Sequence, residues 1–156
     1  MEVVSWARPG STNAGSDNIP RLPLDELLQT SDVLSIHLRL SPESKELLNR
    51  ERLLRMKQGT ILINTSRGEI VNESALIECL RSGHLSGAGL DVFVKEPLPP
   101  DSPLRQLDNV MLSPHIGWTV EEVFREFSQI ASTQLLQYLN GTLPESELAI
   151  HALKNN

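Results

Sequence analysis

A single cysteine, Cys79, stands in 156 residues, so no disulfide can form within the chain and a disulfide-stapled secreted scaffold is excluded. No apolar run approaches the roughly 18 residues that a membrane span needs, and no signal peptide precedes the first apolar segment. A clustered basic surface is missing as well. Lys and Arg number 14 against 20 Asp and Glu, a net charge of −6, and the basic residues are scattered, which argues against contact with nucleic acid. Low-complexity stretches and internal repeats are lacking. The four histidines and Cys79 show no metal-ligand spacing, so no metal site is expected. Together these absences leave a soluble globular chain with no membrane association, expected in a reducing, cytoplasmic compartment. There the sequons at Asn64, Asn72 and Asn140 are chance matches.

What is present is an alternation of short apolar runs and helical patterns. Glu2–Trp6 reads as a strand ended by the turn cluster Arg8-Pro9-Gly10-Ser11. Pro23 opens a short helix with Leu24, Leu27 and Leu28 on one face, and Asp32–Leu38 follows as a second strand. Ser41-Pro42 and Asn49 look like helix starts, Gly59 ends that stretch, and Thr60–Asn64 is a third strand. Asn72 caps a helix through about Leu80, which Gly83 stops; Ser86–Phe93 and Asn109–Leu112 are the fourth and fifth strands. Thr119 with Glu122 forms a capping box, and an apolar stripe from Val120 to Leu139 runs as the longest helix, to Asn140-Gly141. The tail from Pro144 is weakly helical.

Strands that are apolar on both faces and joined by long crossings predict a parallel sheet flanked by helices, an α/β fold of the doubly wound kind. In such sheets ligands sit at the carboxyl ends of the strands. Three of those ends run into Arg67, Glu96 and His115. Each has an ordinary explanation: a surface ion-pair arginine, a solvated loop acid, a structural histidine. At one sheet edge they also supply an anion clamp, a carboxylate and a proton-transfer group, and the joint arrangement favours function. Gly87-Ala88-Gly89 imitates a dinucleotide fingerprint, but position 92 is Val and no helix opens there, so it reads as a close-packed strand.

The run Ile63-Asn64-Thr65-Ser66-Arg67-Gly68-Glu69-Ile70-Val71-Asn72-Glu73-Ser74-Ala75-Leu76 resembles the second signature of the D-isomer-specific 2-hydroxyacid dehydrogenases. Gly87–Phe93 followed by Glu96-Pro97 resembles their third, Ser113-Pro114-His115-Ile116-Gly117 is similar to their histidine segment, and Met56–Thr60 leads into the third strand as in that family. The resemblance covers residues 1 to about 143, with 144–156 as a tail. It implies an incomplete Rossmann-type sheet lacking its first strand and glycine-rich turn, with the family's separate substrate domain absent.

The resemblance also implies residue roles. Arg67 would hold the carboxylate and carbonyl of a small 2-oxo acid. His115 would exchange a proton with the carbonyl oxygen as hydride moves to or from the nicotinamide, and Glu96 would bond the other ring nitrogen. An acid at position 96 argues against the formate dehydrogenase branch. Thr65, Ser66 and Asp91 would lie near the ribose and nicotinamide, His37 and Leu38 by the adenosine, and Gly117 near the carboxamide. Ordinary alternatives stay open for these: a turn at Thr65-Ser66, a strand-end cap at Asp91. The cofactor would be NAD or NADP. Ala7-Arg8 stands where the family commonly has an acid that bonds the ribose hydroxyls, which favours NADP.

The full-length form would be a homodimer and an oxidoreductase; the competing function is a non-catalytic nucleotide-sensing or corepressor-like module. With the strand order 3-2-1-4-5-6, the missing strand would lie between Glu2–Trp6 and Thr60–Asn64. The isolated chain would then self-associate and show no turnover.

Overall fold

The computed structural model describes residues 1–8 and 19–145. They fall into two compact units, Met1–Ile116 and a second that begins at Gly117. In the first, β1 (Val33–Ile36), β2 (Ile61–Asn64), β3 (Gly87–Leu90) and β4 (Val110–Leu112) form one sheet in the order β1-β2-β3-β4, every pairing parallel. Helix α1 (Leu24–Thr30) precedes β1, α2 (Arg50–Arg55) connects β1 to β2, and α3 (Glu73–Arg81) connects β2 to β3. A 3-10 turn at Pro103–Gln106 lies on the way to β4. The α/β class and the parallel sheet expected from the sequence are those observed.

Helix starts follow local chemistry. The Asn49 side chain accepts the Arg52 N–H at 3.0 Å, and that of Asn72 accepts the Ala75 N–H at 3.0 Å. Each such cap is worth about 1 kcal/mol. After α3, Gly83 turns the chain at φ +74°, a conformation that costs glycine little.

Register decides which side chains meet the helices. Leu34, Ile36, Leu62, Asn64, Ala88, Leu90, Val110 and Leu112 share one face, and all are buried or half-buried. Leu28, Leu53, Leu76 and Leu80, from the three helices, join the core on that face. Val33, Ile61 and Met111 point from the other face and are exposed. The apolar runs predict burial on both faces; among the described residues of this unit only one is covered.

Three expectations are corrected. Glu2–Trp6 is not a strand: only Ser5 pairs, through an isolated parallel bridge to Arg21. Its N–H donates to Pro20 O and its carbonyl accepts from Leu22, both at 2.9 Å. That short extended piece is hidden in sequence between Pro20 and Pro23. It takes the place beside Ser5 that the sequence assigns to Asp32–Leu38, and β1 instead pairs directly with β2. The vacancy predicted between Glu2–Trp6 and Thr60–Asn64 therefore does not exist, and no pairing among the described residues joins Ser5 to β1. Finally, Ser41-Pro42 begins a turn rather than a helix, with Ser44 N and Lys45 N both donating to Ser41 O.

The second unit consists, among described residues, of α4 (Glu121–Leu139) and its flanks. Its N-cap is Val120, one residue beyond the predicted Thr119 and without a side-chain cap bond. Trp118 packs on Phe124 with ring centroids 5.1 Å apart. No residue of α4 is buried. Most of the tail from Pro144 lies outside the described residues. No helix among the described residues is long and apolar enough to cross a membrane.

Candidate active site

Because the four strands are parallel, their carboxyl ends share one edge, and the segments after them carry the candidate residues. After β2 the loop is held by Asn64, which is 1% exposed. Its Oδ1 accepts the Ser66 N–H at 3.0 Å and its Nδ2 donates to Arg67 O at 2.9 Å. A buried amide must satisfy donor and acceptor alike, and both are spent on this loop. Ser66 Oγ donates to Ile36 O at 2.7 Å, tying the loop to the end of β1. Arg67 thus leaves a fixed backbone, with its side chain exposed and one Nη1 bond to Ser66 O at 2.6 Å. Thr65 is exposed beside it.

Gly68 packs against the backbone at Phe93 and Val94, where a Cβ would have no room. The arginine loop is thereby set against the segment that carries Glu96. The Phe93 N–H donates to Glu96 Oε1 at 2.9 Å, and Glu96 Oε2 lies 2.8 Å from His115 Nδ1. The peptide between Glu96 and Pro97 is cis. Burial pushes the Glu96 carboxyl up, but it is outweighed by hydrogen bonds from His115 and the Phe93 N–H and by the charges of His115 and Arg67, which hold it below the usual carboxylate range. An ionised Glu96 only accepts, so Nδ1 carries a proton and Nε2 is left for another partner.

His115 occupies the left-handed region at φ +57°, uncommon for a residue with a side chain. The next peptide is pinned, since Ile116 N donates to Asp91 Oδ1 at 3.0 Å. Asp91 is 7% exposed, so its carboxylate orders the histidine loop from beneath. Other candidates are more loosely placed. His37 follows β1, exposed, with Nε2 2.8 Å from Ser35 Oγ, and Leu38 packs against the core. Arg8 Nη1 donates to Ser41 Oγ at 2.7 Å, which places it at the turn after β1. Gly117 opens the second unit.

Asn64, Gly68, the Phe93 N–H and Ser41 are positioning groups that sequence reasoning missed. Asn64 had a signal, a polar side chain ending an apolar strand. The others act across 25 or more residues or through a backbone group, and leave no local pattern. The donor set at this edge, a guanidinium, an imidazole and hydroxyls, suits a ribose, a phosphate and a carboxylate. No described strand is followed by a glycine-rich phosphate turn. Among the described residues, no group of His, Cys, Asp and Glu could hold a metal ion.

The lowered Glu96 carboxyl has a consequence for stability. Its folded-state pKa lies below its unfolded value, so its contribution is present above the unfolded value and lost as pH falls through the folded one. Glu96→Gln should therefore flatten the acid limb of stability against pH. Urea denaturation of parent and variant at several pH values tests this; identical acid slopes would refute it.

Residues 1–117 match the family model of the D-isomer specific 2-hydroxyacid dehydrogenase, NAD binding domain. The chain is 46% identical over 137 residues to a glyoxylate/hydroxypyruvate reductase B of Pectobacterium carotovorum, covering 88% of this chain and 43% of that protein. The crystal structure of a Thermus thermophilus protein superposes with a TM-score of 0.86 at 47% identity, over 93% of this chain and 45% of that one. A D-isomer specific 2-hydroxyacid dehydrogenase of Xanthobacter autotrophicus Py2, solved with NADPH and MES, gives a TM-score of 0.69 at 40% identity over 74% of this chain and 37% of that one. The chain spans less than half the length of each. With a family model matched across the whole sheet and relatives at this identity, the chain belongs to the D-isomer specific 2-hydroxyacid dehydrogenase family, in its NAD-binding domain.

Proposed function

We propose that this chain is the nucleotide-binding part of a cytoplasmic, homodimeric NAD(P)-dependent oxidoreductase that interconverts a small D-2-hydroxy acid and its 2-oxo acid. The domain spans 1–143, and 144–156 form a tail. The observation that carries this reading is the 2.8 Å contact between Glu96 and His115 Nδ1, at a carboxylate that also feels the charge of Arg67. A carboxylate-oriented imidazole at the same sheet edge as a guanidinium is what reduction of a carbonyl next to a carboxylate requires.

Arg67 binds the substrate carboxylate and carbonyl through its planar fork and so turns the carbonyl carbon toward the cofactor. When bound, the nicotinamide supplies or accepts the hydride at that carbon. In the reductive direction His115 gives the proton on Nε2 to the carbonyl oxygen; in the oxidative direction Nε2 removes it from the hydroxyl. Glu96 keeps the imidazole oriented by accepting from Nδ1, which leaves Nε2 for the substrate oxygen. Thr65, Ser66 and Asp91 bind near the ribose and nicotinamide, His37 and Leu38 near the adenosine, and Gly117 near the carboxamide.

The cofactor is NADP in preference to NAD. Ala7 removes the acid that would bond the ribose hydroxyls, and Arg8 adds a cation beside Ser41 where a 2′-phosphate would be accepted. The substrate class follows the glyoxylate/hydroxypyruvate reductase relative.

The test is turnover of glyoxylate, hydroxypyruvate and phenylpyruvate with NADPH and NADH, on the chain as it stands and on any longer form that carries it. Reduction of glyoxylate or hydroxypyruvate by the longer form, with a higher kcat/KM for NADPH and no turnover by the chain alone, is the expected result. Nucleotide binding with no turnover of any 2-oxo acid by any form would overturn the catalytic assignment and leave a nucleotide-sensing module.

A further inference from the structure

We propose that Glu43 is a specificity-determining residue that restrains the preference for a 2′-phosphorylated cofactor by occupying the anion position at Arg8; this rests on the assignment of Arg8 to the adenosine ribose made above. Three contacts close a small ring. Arg8 Nη1 donates to Ser41 Oγ at 2.7 Å, Ser41 Oγ donates to Glu43 Oε2 at 2.7 Å, and that carboxylate oxygen lies 3.7 Å from Arg8 Nη1. The serine proton is directed at the carboxylate and a lone pair at the guanidinium, so Ser41 joins the two charges.

The turn itself is fixed. Ser41 N donates to Ser44 Oγ at 2.8 Å, and Ser44 Oγ donates to Arg39 O at 2.7 Å. Glu43 is therefore carried by a bonded turn, anchored on both sides of it, and is not merely a passing surface acid. Its carboxyl is held below the usual range, chiefly by the Ser41 hydrogen bond, so it is charged at neutral pH.

A 2′-phosphate reaching Arg8 meets this carboxylate twice: it must share the guanidinium donors, and two like charges come close. A 2′-hydroxyl carries no charge and suffers neither effect. The Glu43 side chain is 73% exposed against 34% for Arg8, so it can swing into solvent when a stronger anion arrives. It competes with the phosphate without blocking it. Arg8 and Glu43 thus set a graded preference in which the cation favours the 2′-phosphate and the acid subtracts from that gain.

The experiment measures binding, independent of catalysis. Adenosine 2′,5′-bisphosphate and 5′-AMP are titrated into the 156-residue chain by calorimetry, for the parent, E43Q and R8Q, with thermal melts confirming that each variant folds. Glutamine keeps an oxygen for the Ser41 hydroxyl, so the turn is preserved. E43Q is expected to bind the bisphosphate about two- to fivefold more tightly with 5′-AMP unchanged, the scale of an exposed ion pair, and the gain should shrink as salt rises. R8Q should abolish the excess affinity for the bisphosphate. If R8Q does so but E43Q leaves the ratio of the two ligands unchanged or lowers it, Glu43 does not compete and the inference is wrong while the Arg8 assignment stands. If R8Q leaves the ratio unchanged, or the parent does not distinguish the ligands, the Arg8 assignment and the inference fall together.

Discussion

Gly68→Ala lowers the stability of the Met1–Ile116 unit by about 3 kcal/mol, at the upper end of what overpacking usually costs. A Cβ at this position would fall within forbidden range of the Phe93 carbonyl and 2.5 Å from Val94 N. These are backbone atoms, so no side chain can rotate away, and either the arginine loop or the Phe93–Val94 segment must move. Moving the latter would lengthen the 2.9 Å bond from the Phe93 N–H to Glu96 Oε1, so the carboxylate facing His115 would shift as well. Gly87→Ala is the matched control: its Cβ would meet Asn109 O at 3.1 Å, a contact that a small adjustment relieves. Urea denaturation of the parent and both variants decides the matter. A Gly68→Ala loss under about 1 kcal/mol, the floor of the usual overpacking cost, or one no larger than that of Gly87→Ala, would show that the two loops are not held against each other.

That contact also shows where the sequence stops being informative. Features generated within a few residues were legible. Asn49 and Asn72 cap α2 and α3 as their positions predict, and Gly83 turns the chain just after α3. The four sheet strands fall within the apolar runs and are shorter than them, because only the paired centres are regular strand. Arg67, Glu96 and His115 were visible because each follows a strand, and parallel strands deliver such residues to one edge. Features generated by distant partners were not legible. Ser5 pairs with Arg21, which lies in a segment with no strand signature, and β1 pairs with β2 rather than beside Ser5. Gly68 looks like an ordinary loop glycine until Phe93, far along the chain, is placed against it. The charge of Arg8 is plain in the sequence, whereas Ser41 and Glu43, which it meets in the fold, lie beyond any local window.

The same division separates the groups that would touch substrate from those that position them. Asn64 has no exposed polar surface to offer a ligand, and both its hydrogen bonds go to the loop bearing Arg67. Asp91 holds the peptide after His115, whose φ of +57° is sustained by its surroundings rather than by its own preference. The loops that carry the candidate chemistry are therefore braced from beneath by buried polar side chains, and their outer faces remain open to meet a ligand.

His115→Gln lowers kcat/KM for the 2-oxo acid by about 10²- to 10⁴-fold, the usual contribution of a positioned acid–base group, in whichever form of the protein turns over. The loss should fall on kcat, because the imidazole is assigned to proton transfer and Arg67 to binding. Arg67→Lys should instead raise KM for the substrate, since an ammonium cannot reproduce the two parallel donors of a guanidinium. Glu96→Gln should cost less than His115→Gln: the amide oxygen can still accept from Nδ1, though more weakly than a charged carboxylate does. The strongest test is the double variant. Of the candidate reacting groups Glu96 is hydrogen-bonded to the ring alone, at 2.8 Å from Nδ1, so once the ring is removed the carboxylate has nothing left to orient. The pair Glu96→Gln, His115→Gln should then be no slower than His115→Gln alone, the non-additivity expected of groups acting as a unit. Steady-state kinetics on the two single variants and the double variant distinguish the cases. If the losses multiply, Glu96 acts on the substrate or cofactor independently of His115; if His115→Gln retains a parental kcat, proton transfer belongs to another group.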